Sequence, residues 1–230
     1  MERTMNKTMT RVCAILLGLL LLTAVGMFTV DGCCFRRSFY ESEYAKLDTA
    51  RQMGMTQDDL MEATDTLLDY LKDRRDNLDL QTTVNGQAVE MFDMREKAHM
   101  VDVKALYRTA MTAARAAAVA AAVLALLLIF AARRHRKAAL GGVLWGFGLF
   151  AVLLGAAAVY AAVDFDSFWR SFHELLFDND LWLLYADERL IQMVPEQFFS
   201  DLVFRIVAVF AVIAAALTGG ILLLRKRCKE

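Results

Sequence analysis

Four long runs of apolar positions punctuate this chain, and two polar segments with a different rhythm separate them. Val12–Val30 holds 19 residues without a charge, Ala138–Val163 holds 26 and Ile206–Leu224 holds 19. Ala116–Phe130 is shorter, but alanine-rich sequence extends it in both directions. A helix needs roughly 20 mostly apolar residues to cross about 30 Å of hydrocarbon. Lipid offers the backbone no hydrogen bonds, so such segments can only be helices. The pattern predicts an all-α membrane protein with four transmembrane helices, at 12–30, 109–132, 138–163 and 206–224. Residues 31–108 and 164–205 are expected to form a small mixed cap of helices plus a β-hairpin.

Within the first polar segment, Thr56 reads as a helix N-cap with Asp59 three residues on. Leu60, Leu67, Leu68 and Leu71 keep helical spacing behind it, which predicts an amphipathic helix over 57–72. Gln81–Val89 is a hairpin signal, because Asn85-Gly86 supplies the two positive-φ positions of a type I′ turn between β-branched residues. Asp93 caps a third element, with Glu96 closing a capping box, and that helix runs through His99 and Tyr107 into the second span. In the second polar segment Asp166 or Ser167 is expected to cap a helix that carries Trp169, His173 and Phe177 on one face. Asp178-Asn179-Asp180 ends it. Asp187 is the expected cap of a further short helix, and Pro195 marks the break before the fourth span.

Charge then orients the spans. Arg3, Lys7 and Arg11 precede the first, Arg133, Arg134, Arg136 and Lys137 fill the 133–137 turn, and Arg225, Lys226, Arg227 and Lys229 occupy the 225–230 tail. By the positive-inside rule these regions face the cytoplasm, with both termini, and the cap is extracytoplasmic. The two cap segments hold 25 of the 27 acids, so the net charge of −1 averages two unlike faces. No basic patch with interleaved aromatics points to nucleic acid. The mean hydropathy of +0.37 does not describe an ordinary soluble domain. Val30-Asp31-Gly32-Cys33 faintly resembles a lipoprotein cleavage box, but Asp31 sits badly in one and three further spans follow. Cys13 and Cys228 fall on the inner side or in a span, and adjacent Cys33 and Cys34 make no disulfide framework. Arg115 is costly within a span and is expected at the outer interface or the bundle interior.

The candidate chemistry rests on histidine, which exchanges a proton near neutral pH more readily than any other side chain. Of the three histidines, His99 and His173 lie in different cap segments on one side of the membrane. Glu96 and Asp102 bracket His99 at i−3 and i+3, where a carboxylate can steady an imidazolium; each equally suits a capping or solvated role. His173 lies between Trp169 and Phe177, an aromatic slot or a packing seam. No paired cysteines or His-x-x-x-His spacing suggests a metal, and no cofactor motif is present. No Gly-x-Ser-x-Gly elbow suggests a serine hydrolase. His173-Glu-Leu-Leu-Phe-Asp178 matches the His-x4-Asp pattern of glycerolipid acyltransferases, but those enzymes carry it in a soluble α/β domain.

Phe92-Asp-Met-Arg-Glu-Lys-Ala-His99-Met-Val-Asp102-Val resembles a motif of the bacterial lipoprotein intramolecular transacylase family. Phe172-His173-Glu-Leu-Leu-Phe177, Asn179, Trp182 and Leu190–Phe199 are similar to a second, and Phe39-Tyr40-Glu-Ser-Glu-Tyr44 to a weaker third. The layout of spans and cap agrees along the whole chain. The resemblance implies a membrane enzyme acting on a lipoprotein whose N-terminal cysteine carries a thioether-linked diacylglyceryl group. The sn-2 acyl chain would move to the α-amino group of the same cysteine, giving the lyso form, with His99 and His173 catalytic.

That chemistry needs no nucleophile from the protein. An α-amino group has a reference pKa of about 7.7–8.0, so a nearby base has one easily lost proton to remove. The attack closes an eight-membered ring, and a slot that holds the substrate folded can contribute roughly 7–11 kcal/mol of orientation in the best intramolecular systems. His99 is expected to be the base, steadied by Glu96 and Asp102, with His173 serving the departing oxygen. Asn179 is a polar orienter, and Tyr40, Tyr44, Trp169, Phe172, Phe177 and Trp182 are candidates to line the slot. The expected partners are a diacylated lipoprotein and the bilayer, with no obligate protein partner. Two other readings stay open: an intermolecular phospholipid-dependent acyltransferase, and a non-catalytic module such as a transporter subunit or lipoprotein chaperone.

Overall fold

The computed structural model describes residues 5–228; Arg3, Lys229 and the end of the 225–230 tail lie outside the described residues. In chain order the elements are α1 (Lys7–Cys34), α2 (Arg37–Leu47), α3 (Thr49–Gln52), α4 (Gln57–Leu71), β1 (Gln81–Val84), β2 (Gln87–Glu90) and α5 (Met94–Ala131). After a single 3-10 turn at Arg133–His135 come α6 (Arg136–Val163), α7 (Phe165–Leu176), α8 (Arg189–Met193) and α9 (Glu196–Arg227). They form two compact units, one of residues 1–31, 110–163 and 205–230, the other of 32–109 and 164–204.

The first unit holds the apolar runs of α1, α5, α6 and α9, each long and apolar enough to cross a membrane. The protein itself covers only 6–28% of those apolar windows, so most of their side chains are left for lipid. Where α1 and α6 cross, side chains are nearly absent: Ala14 and Gly18 face Gly142 and Gly146. A Cβ added at Gly18 would lie 2.6 Å from the Val143 carbonyl oxygen, so backbone packs on backbone. Small residues four apart permit this approach in lipid, where dispersion contacts replace the hydrophobic effect between helices. Leu22, Phe147 and Phe210 fill the space beside the crossing.

The second unit has a core of its own, in which Tyr44, Leu60, Met91, Phe92, Met193 and Phe198 are all but fully buried. Thr56 caps α4 by accepting the Asp59 N–H at 3.0 Å, and its hydroxyl donates to the Asp59 carboxylate at 2.6 Å. The hairpin pairs Gln81 with Glu90 and Val84 with Gln87, and turns through Asn85 (φ 51°) and Gly86 (φ 76°). The Asn85 N–H donates to the Gly54 carbonyl at 2.8 Å, which ties the hairpin tip to the loop before α4. At the start of α5, Asp93 and Glu96 cap one another's backbone: Oδ1 of Asp93 accepts the Glu96 N–H at 2.8 Å, and Oε2 of Glu96 accepts the Asp93 N–H at 2.6 Å.

Three local expectations are corrected. The cap of α7 is Asp164, which accepts the Ser167 N–H at 3.0 Å, rather than Asp166 or Ser167. Phe177 stands at the C-cap in extended backbone, one residue beyond the helix. Glu188, not Asp187, stands at the N-cap of α8, and its carboxylate takes the Tyr185 N–H.

Candidate active site

The second unit brings α5 and α7 side by side, and with them His99 and His173. Their ring centroids are 6.3 Å apart with planes inclined by 38°. Both rings are buried, at 7% and 8% exposure, so each is largely shut off from water. Phe177 touches both, 5.5 Å from His99 and 5.7 Å from His173. Trp169 stands edge-on to His173 at 4.7 Å, Trp182 stacks on it at 5.0 Å, and Phe172 meets it at 5.5 Å. The aromatic wall continues through Phe199, 4.4 Å from Trp169.

The backbone of α7 settles the tautomer of His173. Its Nδ1 lies 2.8 Å from the Trp169 carbonyl oxygen. A carbonyl only accepts, so Nδ1 carries the proton and Nε2 keeps its lone pair in the neutral ring. Burial lowers the pKa of His173, while the Trp169 hydrogen bond pulls the other way. Nδ1 is thereby taken, and the His-x4-Asp pattern with Asp178 does not form the imidazole–carboxylate pair its chemistry requires.

His99 is poised differently. Burial, and then the charge of a facing His173, hold its pKa down to about 4, with Asp102 opposing weakly. Its Nδ1 is buried and has no hydrogen-bond partner. The carboxylate bracket expected from the spacing is not formed. Glu96 is 1% exposed and spends one oxygen on the Asp93 N–H and the other, at 2.5 Å, on the Leu190 N–H. Desolvation raises its pKa, and those two donors partly offset the rise. Asp102 accepts from Asn179 Nδ2 at 2.9 Å, and Asn179 Oδ1 accepts the Leu181 N–H at 2.9 Å. Asp102 and Asn179 thus join α5 to the turn after α7 and act on His99 only through space.

Tyr40 and Tyr44 are not brought to the histidines. Their ring partners are Phe39, Phe198 and each other, and their hydroxyls meet the Cys34 carbonyl and Thr64 Oγ1, both at 2.9 Å. They support Phe198, the neighbour of Phe199, and so reach the aromatic wall only indirectly. The sequence reasoning passed over Arg95, one helical turn before His99. Its guanidinium donates to the Asp180 carbonyl at 2.7 Å and lies 5.3 Å from the Tyr185 ring centre. The i, i+4 spacing to His99 was the available signal. Among the described residues no group of three or more His, Cys, Asp or Glu is placed to hold a metal ion.

Comparison with known proteins gives this geometry a family. The sequence model described as lipoprotein intramolecular transacylase Lit matches residues 14–199, a stretch that includes both histidines. The chain belongs to the Lit family. No curated protein sequence matches it. The structure resembles that of the membrane integral lipoprotein intramolecular transacylase Lit from Bacillus cereus at a TM-score of 0.78 and 20% identity, covering 97% of this chain and 100% of that one. Forms of the same protein with a histidine replaced by arginine or by alanine match at 0.73 and 0.72, with 20% and 19% identity. The first covers 95% of this chain and 94% of its own, the second 96% and 97%. At that identity the likeness establishes the Lit fold: an integral membrane protein of four apolar helices with a helical cap and one hairpin.

Proposed function

We propose that this protein moves the sn-2 acyl chain of a diacylglyceryl-modified N-terminal cysteine to the α-amino group of that cysteine, with His173 as base. One observation carries the assignment: the Trp169 carbonyl holds the Nδ1 proton of His173 and leaves Nε2 free to accept. His99 would have been the base had Glu96 and Asp102 steadied its cation. With those carboxylates engaged elsewhere and its pKa near 4, it acts as a neutral hydrogen-bond donor.

The steps balance within the substrate. The amine nitrogen attacks the sn-2 ester carbonyl, and Nε2 of His173 takes the proton that nitrogen gives up. Collapse of the tetrahedral intermediate breaks the bond from the acyl carbon to the sn-2 oxygen. His99 hydrogen-bonds that oxygen as charge builds on it, and the His173 imidazolium returns the proton. No proton is gained or lost overall. The positive-inside pattern supports termini in the cytoplasm and a site on the outer side of a bacterial cytoplasmic membrane, where a lipoprotein N-terminus lies.

Tandem mass spectrometry of the N-terminal peptide of a reporter lipoprotein, made together with this protein, tests the reading. An unchanged mass with a blocked amine and a lyso-glyceryl fragment is expected. A gain of one acyl chain would transfer the assignment to an intermolecular acyltransferase. An untouched diacyl peptide with a free amine would leave a non-catalytic module.

A further inference from the structure

In the first unit α1, α5, α6 and α9 line a cavity of about 890 Å³. Leu17, Leu21 and Phe28 line it from α1, and Ala118, Ala121 and Ala125 from α5. The α1 row runs along about three helical turns, roughly 16 Å, and the α5 row along about two, roughly 10 Å. Alanine on a transmembrane helix ordinarily lets a neighbouring backbone close in, as the glycines do where α1 meets α6. Here Ala118 and Ala125 border open space instead, with Ala121 buried between them. The space falls in the size range of small-molecule sites, and its apolar walls offer water no hydrogen bonds. An acyl chain fits both its length and its chemistry.

One end is different. Arg136, from the start of α6, and Arg227, from the end of α9, form part of the lining, and no acidic side chain among the described residues does. Guanidinium groups match phosphate oxygens with two parallel hydrogen bonds. An apolar groove with two arginines and no acid among its described lining residues therefore has the form of a lipid with an anionic head.

We propose that this cavity is a binding site for an anionic phospholipid, with one acyl chain along Ala118, Ala121 and Ala125 and its phosphate between Arg136 and Arg227. The site lies in a different unit from His99 and His173. A zwitterionic phospholipid brings its own cation beside the phosphate and gains less from the two arginines. A neutral lipid gains nothing from them.

The test uses the full chain in nanodiscs of equal parts phosphatidylglycerol and phosphatidylcholine, released into the gas phase for native mass spectrometry. About a tenfold preference for retained phosphatidylglycerol is expected. Arg136→Gln with Arg227→Gln should bring that preference to parity, while Arg133, Arg134 and Arg225 still anchor the topology. Filling the groove with Ala125→Phe, or with the milder Ala121→Leu, should remove the retained lipid of either kind from protein that still elutes as a folded species. Equal retention of the two lipids by the unaltered protein would overturn the proposal. So would a preference that survives loss of both arginines.

Discussion

His173 and His99 are chemically the same side chain, and their surroundings give them different work. The carbonyl of Trp169 sets one tautomer of His173, whereas His99 has a buried Nδ1 without a partner. General acid–base groups contribute about 10²–10⁴-fold to rate. His173→Ala should lower acyl transfer by that order, read as the fraction of reporter peptide with a blocked amine at fixed time. His99→Ala should fall in the same range with the substrate still bound, which co-purification of the diacyl reporter would reveal. Stability should report the His99 environment independently. Its pKa is about 4 in the folded protein against an ordinary histidine value of 6.5, so the unfolded chain holds more protons between those pH values. The benefit of folding with His99 neutral is therefore complete above about pH 6.5 and lost progressively toward pH 4. In thermal unfolding, the gap between wild type and His99→Asn should narrow as pH falls through that window, and a constant gap would contradict the burial argument. The histidine pair was legible from sequence because the two rare residues fall in cap segments on one side of the membrane. The capping use of Glu96 was legible as well, from its place three residues after Asp93; its second bond, to the Leu190 N–H 94 positions away, was not, because only the tertiary fold brings α8 to it.

Glu96 also shows how one side chain couples elements. It completes the capping box of α5 and, through Oε1, holds the first residues of α8 by the Leu190 N–H. Glu96→Ala would strand two backbone donors, one of them deeply buried, at about 1–3 kcal/mol apiece. Unfolding in detergent should then begin several degrees lower, roughly 2–4 °C for each kcal/mol in a chain of this size. Glu96→Gln keeps one good acceptor and should lose less; equal losses would show that the second hydrogen bond contributes nothing. Local sequence was a good guide where the signal was stereochemical. Asn85-Gly86 takes the positive φ values that an I′ turn requires, and Thr56 has the hydroxyl that α4 needs at its start. It was a poor guide where several residues could do the same job. Asp164, Asp166 and Ser167 are all capping types, and the selection of Asp164 depends on α6 continuing to Val163 immediately before it. Phe177 leaves the helix at Asp178-Asn179-Asp180, yet its N–H still bonds the His173 carbonyl at 2.9 Å, which keeps its ring beside both histidines.

At the scale of the molecule, the membrane unit depends on the bare crossing of α1 and α6. A Cβ on Gly146 would sit 3.0 Å from the Gly18 Cα and 3.1 Å from the Leu19 nitrogen, both backbone atoms that cannot swing aside. Gly146→Leu should therefore force the helices apart, at about 1–3 kcal/mol for overpacking. The expected result is a lower unfolding temperature in detergent, while Gly148→Leu, with no neighbour within 4 Å, should change little. Sequence alone determined the number of spans and the hairpin, and it offered sidedness by charge and the histidine pair as expectations. These follow from local composition, since a long apolar run can satisfy its backbone in lipid only as a helix and a turn dipeptide carries its own φ values. Tertiary structure alone decided the 6.3 Å separation of the histidines, the bond from Glu96 to the Leu190 N–H, and the packing of Tyr40 and Tyr44 against Phe198. The tautomer of His173 and the lipid-sized space among α1, α5, α6 and α9 belong to the same class. Each depends on a backbone atom or on empty volume, and neither has a letter in the sequence.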